Sequence, residues 1–93
     1  MKKPGEFIKE AREEKGFTVK DFAIALLTPP ENIEKIESDE LLISYQDLLK
    51  VAALTGKRPK DFHLNIGYDP KRGRYFTTSE PPGENLSEMS SLE

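Results

Sequence analysis

Residues 18 to 37 read Thr18-Val-Lys-Asp-Phe-Ala-Ile-Ala-Leu-Leu-Thr-Pro-Pro-Glu-Asn-Ile-Glu-Lys-Ile-Glu37. The run carries two helix starts. In Thr18-Val-Lys-Asp21 and again in Thr28-Pro-Pro-Glu31 a hydroxyl stands at a candidate N-cap, with a carboxylate three residues on. That pairing lets each side chain satisfy backbone N–H groups that a helix leaves without partners. Val19, Phe22, Ala23 and Leu26 then share one helical face, and Ile33 and Ile36 share the next. Pro29 separates the two segments, because a residue before proline avoids the α region; Thr28 is therefore non-helical and Pro29 takes the first position of the second helix, where its missing N–H costs nothing. Two short helices joined by so tight a turn form a helix-turn-helix.

Working outward, Phe7, Ile8 and Ala11 between Gly5 and Lys15 make an apolar stripe backed by charged residues, which predicts a first helix stopped by Gly16. Downstream, Ser44-Tyr-Gln-Asp47 is a third capping box, followed by Tyr45, Leu48, Leu49 and Ala52 at helical spacing and closed by Gly56. Residues 57 to 62 predict a short fifth helix, with Pro59 near its start and Phe62 closing the core. Beyond Phe62 the period changes. Leu64, Ile66 and Tyr68 alternate with polar or small residues, Asp69-Pro-Lys-Arg-Gly73 breaks the run, and Arg74-Tyr-Phe-Thr-Thr78 resumes it, so a β-hairpin is predicted. An isolated hairpin is marginal in water, so it should pack on the helices or pair with another chain. Residues 79 to 93 are polar, acidic and aperiodic, which predicts a disordered tail. The organisation expected is a helical domain over 1–62, a hairpin extension over 63–78 that is a candidate dimerisation element, and a tail over 79–93.

Composition narrows the function. The 93 residues suit one domain, and no apolar run approaches the ~20 residues of a membrane span, so the chain is expected in the cytoplasm. There is no cysteine, and His63 is the only histidine, which leaves no thiolate nucleophile and no second imidazole for a metal site or a nucleophile-base pair. Neither catalysis nor a cofactor or metal is expected. The net charge of −3 gives no general attraction to nucleic acid.

The order of elements and the residues together resemble the Cro/repressor-type helix-turn-helix family, also called XRE-like, without a gap from about residue 5 to residue 62. The resemblance is carried by Gly5-Glu-Phe-Ile-Lys-Glu-Ala-Arg-Glu-Glu-Lys-Gly-Phe-Thr18, by Asn32-Ile-Glu-Lys-Ile-Glu37 and by Leu48-Leu-Lys-Val-Ala-Ala-Leu-Thr-Gly56. It implies a mainly α, five-helix lambda-repressor-like domain, here extended by the hairpin and tail. It also implies a small bacterial or phage transcription regulator, a homodimer that lays the second helix of each motif in the DNA major groove. The family's ion pair between the first helix and the end of the recognition helix falls on Arg12 and Glu37. Candidate DNA contacts fall on Thr18, Lys20, Thr28, Pro30, Glu31, Asn32 and Lys35.

Several positions depart from the family. Val19 stands where a phosphate-bonding glutamine is common, and Leu27 where the turn usually has glycine. From Thr18 to Ile43 two lysines face six carboxylates. That local charge opposes phosphate contact, the main source of non-specific DNA affinity. Positive charge gathers later, at Lys57, Arg58, Lys60, Lys71, Arg72 and Arg74, as a candidate second basic surface or a counterpart for another subunit's acidic helices. Leu41, Leu42 and Ile43 form an apolar triplet where a loop should be polar, so they either cap the core or mark a protein partner's surface. The alternative function is a protein-interaction module built on a helix-turn-helix that has lost DNA binding.

Overall fold

The computed structural model describes residues 2–78, and the tail predicted for 79–93 lies outside them. The elements run α1 (Pro4–Glu14), α2 (Val19–Leu26), α3 (Pro30–Glu37), α4 (Tyr45–Thr55), a 3-10 turn (Pro59–Phe62), β1 (Asn65–Asp69) and β2 (Arg74–Thr78). The fifth helix expected is thus a single 3-10 turn. Pro59 has no N–H to give, the Asp61 carboxylate takes the Arg58 N–H at 2.8 Å, and His63 turns left-handed at φ 59°, so nothing propagates.

Each helix shows its cause in sequence. Around α2 the expected box is complete: Thr18 Oγ1 accepts from the Asp21 N–H at 3.1 Å, and Asp21 accepts from the Thr18 N–H at 2.8 Å. The second box does not form. Pro29 is the N-cap of α3 and Pro30 its first residue, one position later than expected. Two prolines remove two of the N–H groups that a cap would serve, and Thr28 Oγ1 instead accepts from Asn32 Nδ2 at 2.8 Å. At α4 only the Ser44 half of the expected box forms, its hydroxyl accepting from the Asp47 N–H at 3.1 Å. The buried stripe of α4 is Leu48, Val51, Ala52 and Thr55, while Leu49 points out.

Ile8, Phe22, Ile33, Leu48, Val51 and Phe62 fill the centre where α1 to α4 and the 3-10 turn meet. Ile43 completes that core, and Leu41 and Leu42 stay exposed, which divides the apolar triplet. Gly5 lets α1 start against the end of α3. A Cβ there would lie 2.6 Å from the Ile36 carbonyl oxygen and closer still to that of Glu37.

β1 and β2 pair antiparallel with Gly67 opposite Phe76 and Tyr68 opposite Tyr75. One face packs on the helices: the Thr77 hydroxyl donates to the Ile43 carbonyl, and the Tyr75 ring lies 5.3 Å from that of Tyr45. On the other face the Phe76 ring covers Gly67, filling the space of an absent side chain. The hairpin is anchored mainly through β2.

Alanine normally stabilises a helix relative to glycine, but at position 5 the clash with two backbone carbonyls reverses the sign. Gly5→Ala is expected to cost about 1 to 3 kcal/mol, the range for overpacking, in a urea melt followed by circular dichroism. An unchanged midpoint contradicts the close approach of α1 and α3.

Candidate nucleic-acid interface

The outer face of α3 is placed by its inner one. Arg12 on α1 reaches the last residue of α3 as a fork, Nε donating to Glu37 Oε2 at 2.6 Å and Nη2 to Oε1 at 3.0 Å, while Nη1 donates to the Phe17 carbonyl at 2.8 Å. Both side chains are more than nine-tenths buried. The hydrogen bond to Glu37 raises the arginine's pKa above its ordinary value, outweighing the opposing effect of burial. Just beyond, Asp39 adopts the left-handed region at φ 65° and its carboxylate accepts from the Gly5 N–H at 3.0 Å. Glu37 is therefore occupied inside the fold and Asp39, though exposed, is tied to the start of α1, so two of the six carboxylates counted against DNA do not project freely.

What does project is a mixed surface. Lys20, Pro30, Glu31, Glu34 and Lys35 are exposed along α2 and α3. Among the described residues neither Lys20 nor Lys35 has an ion-pair partner. Thr18 is engaged in its cap, and Thr28 and Asn32 in each other. Pro30 offers no N–H at the helix start, so any reading by this end relies on side chains: Glu31 as an acceptor, the remaining amide valences of Asn32, and Lys35 as a donor.

This α2–turn–α3 unit lies within the part of the chain that a family model recognises: a model described as a helix-turn-helix domain matches residues 5–66. The chain belongs to the helix-turn-helix domain family. Among solved structures this helix-turn-helix protein is similar to the restriction-modification controller protein C.AhdI from Aeromonas hydrophila, at 20% identity and a TM-score of 0.58, over 63% of this chain and 89% of that one. At that identity the likeness speaks for the fold. No curated protein matches the sequence.

The turn of this family member is unusual. Leu27 caps α2 in the left-handed conformation at φ 56° and is 87% exposed. A β-carbon there costs roughly 1 to 2 kcal/mol. Ile24 is 73% exposed beside it, so Ile24, Leu27, Pro29 and Pro30 form an apolar surface at the head of α3. Ile24 was legible as an outlier, since it falls off the stripe of Val19, Phe22, Ala23 and Leu26.

The second basic cluster is divided. Lys57, Arg58 and Lys60 follow the C-terminus of α4, whereas Arg74 lines a groove with the first turns of that helix. Lys57 lies 3.5 Å from Glu14 and Arg72 lies 3.7 Å from Asp69, which neutralises two of the six. Asp61 sits among the first three with its pKa lowered, first by the Arg58 N–H and then by the nearby cations.

Arg12→Met leaves the Glu37 carboxylate buried and unpaired, and a loss of about 3 to 5 kcal/mol is expected. Arg12→Met combined with Glu37→Leu should recover most of it. Urea denaturation of the wild type, the two single variants and the double variant measures the cycle; losses that simply add in the double variant contradict a coupled pair.

Proposed function

We propose that this protein is a sequence-specific DNA-binding regulator of transcription, acting as a homodimer whose two α3 helices enter major grooves about 34 Å apart. One observation carries the reading: α3 is locked at its far end by Arg12 and Glu37, yet its outer face is left bare, with Lys35 on it and Lys20 on α2 both without an ion-pair partner among the described residues. A helix retained only to complete a core has no need of so rigid an anchorage for a face that touches nothing.

Electrostatics then sets the type of binding. With about two phosphate contacts per subunit from Lys20 and Lys35, counterion release supplies little non-specific affinity. Discrimination falls to side-chain contacts with base edges: Glu31 accepting from a cytosine N4, and Asn32 or Lys35 reading a purine. Glu31 and Glu34 repel the backbone of any sequence equally, which lowers affinity throughout and leaves base contacts to make up the difference at the right site.

A second reading, a helix-turn-helix used to hold another protein, is favoured by a different observation. Ile24 and Leu27 are the most exposed large apolar residues of the described chain and share a groove with Pro29 and Pro30 at the head of α3. Charge reversal at Glu31 and Glu34 would then abolish partner capture.

Fluorescence anisotropy on duplexes selected from a random pool decides between them. Under the regulator reading the wild type binds, Lys20→Ala and Lys35→Ala each remove one phosphate contact per subunit and reduce the slope of log K against log salt by about 2 for the dimer, and Glu31→Gln tightens binding to unselected DNA. No binding at low salt rejects it.

A further inference from the structure

Thr28 stands where a cap was expected and does not cap. Its backbone N–H donates to the Ala23 carbonyl at 3.0 Å, which ties it to the end of α2, while its side-chain oxygen accepts from Asn32 Nδ2 at 2.8 Å in the first turn of α3. The backbone closes the turn without that second bond, since the Leu27 N–H also returns to the Ala23 and Ile24 carbonyls. The hydroxyl therefore serves the Asn32 amide rather than the helix. We propose that Thr28 is a positioning residue, holding the Asn32 side chain in the orientation that reads an adenine in the major groove. The inference rests on the regulator reading above and names the base selected at one position.

The base follows from what the bond leaves over. A side-chain amide has two N–H donors on its nitrogen and an acceptor at its oxygen. Thr28 occupies one donor. Among the described residues Asn32 Oδ1 accepts no hydrogen bond, and no side-chain oxygen or nitrogen without a partner is buried, so this half-buried residue opens its acceptor to solvent. One donor and one acceptor remain in a single plane. Adenine presents the complement, with N6 donating and N7 accepting, whereas guanine offers two acceptors at that edge and cytosine a donor with no N7 beside it.

Orientation is what makes this selective. An unheld amide turns over, exchanging oxygen for nitrogen, and its donors then suit the acceptors of guanine as well. Held at Nδ2 from the frame of α2, it keeps its oxygen outward. An amide ordered in advance also has less rotamer freedom to lose when DNA arrives. Because Asn32 is neutral, the contact does not depend on the charge of a face that carries Glu31 and Glu34.

Base analogues placed one at a time at the adenines of a selected duplex test this, 2-aminopurine taking the N6 amino group out of the major groove and 7-deazaadenine removing the N7 acceptor. For the wild type, one adenine in each half-site should show about a tenfold loss of affinity with either analogue, within the range of a bidentate base contact. Asn32→Ala should lose both penalties at that adenine. So should Thr28→Val, which keeps the shape of the side chain and removes the hydroxyl, while Thr28→Ser should retain them. A bond that only staples the turn predicts a less stable Thr28→Val with the penalties intact, and that result overturns the inference. If Thr28→Val binds no duplex, side-chain 15N relaxation on the free protein decides: an Asn32 amide more mobile than in the wild type upholds the inference, and one equally ordered overturns it. A wild type that binds a selected duplex but has no adenine with both penalties overturns the inference and leaves the regulator reading standing; a wild type that binds no duplex rejects both.

Discussion

The pair between Arg12 and Glu37 is the constraint on which the rest of the molecule depends. α3 is eight residues long, too short to be stable alone, and only its inner residues Ile33 and Ile36 hold it to the core. The guanidinium fork fixes its last turn to α1, and the same arginine ties down the Phe17 carbonyl just before α2 begins. One side chain thus sets the relation of three helices. The planar geometry of arginine is what permits this; a lysine could not make two parallel bonds to the carboxylate while holding the carbonyl.

Anchorage and charge are joined in this arrangement. Glu37 and Asp39 count as acidic in the sequence, but the fold spends them on α1, one on Arg12 and the other on the Gly5 N–H. Asp21, Glu31, Glu34 and Glu40 remain exposed against Lys20 and Lys35, a surface still acidic but less so than the linear count of six against two. A weakly acidic face is compatible with reading bases, where hydrogen-bond patterns discriminate, more than with clamping phosphates, where positive charge does.

Most of the architecture was legible in the sequence because local rules and the hydrophobic period agreed. The cap at Thr18, the stop at Gly16 and the alternation of the hairpin each rest on interactions within a few residues. The misreadings share a physical origin. Thr28 satisfied a local pattern, but consecutive prolines removed the donors that give a cap its purpose, and α3 began one residue later. The segment around Pro59 had a helix start and lacked the length to propagate one. Leu49 fitted the helical period of α4, yet which side of that stripe is covered depends on β2, packed from twenty-five or more residues away. The candidate site was legible as a location and less so as a surface. Leu27 in a left-handed turn and the exposed Ile24 arise where sequence preference yields to tertiary geometry, and such positions are expected at functional sites.

The central claim is that the bare face of α2 and α3 meets DNA, and backbone amide shifts measured by NMR during titration with a selected duplex test it most directly. The largest changes should fall on residues 18 to 21 and 27 to 35, with the hairpin turn at 70 to 73 little affected. Changes confined to the cations at 57 to 60 and 71 to 74, with α3 silent, contradict it.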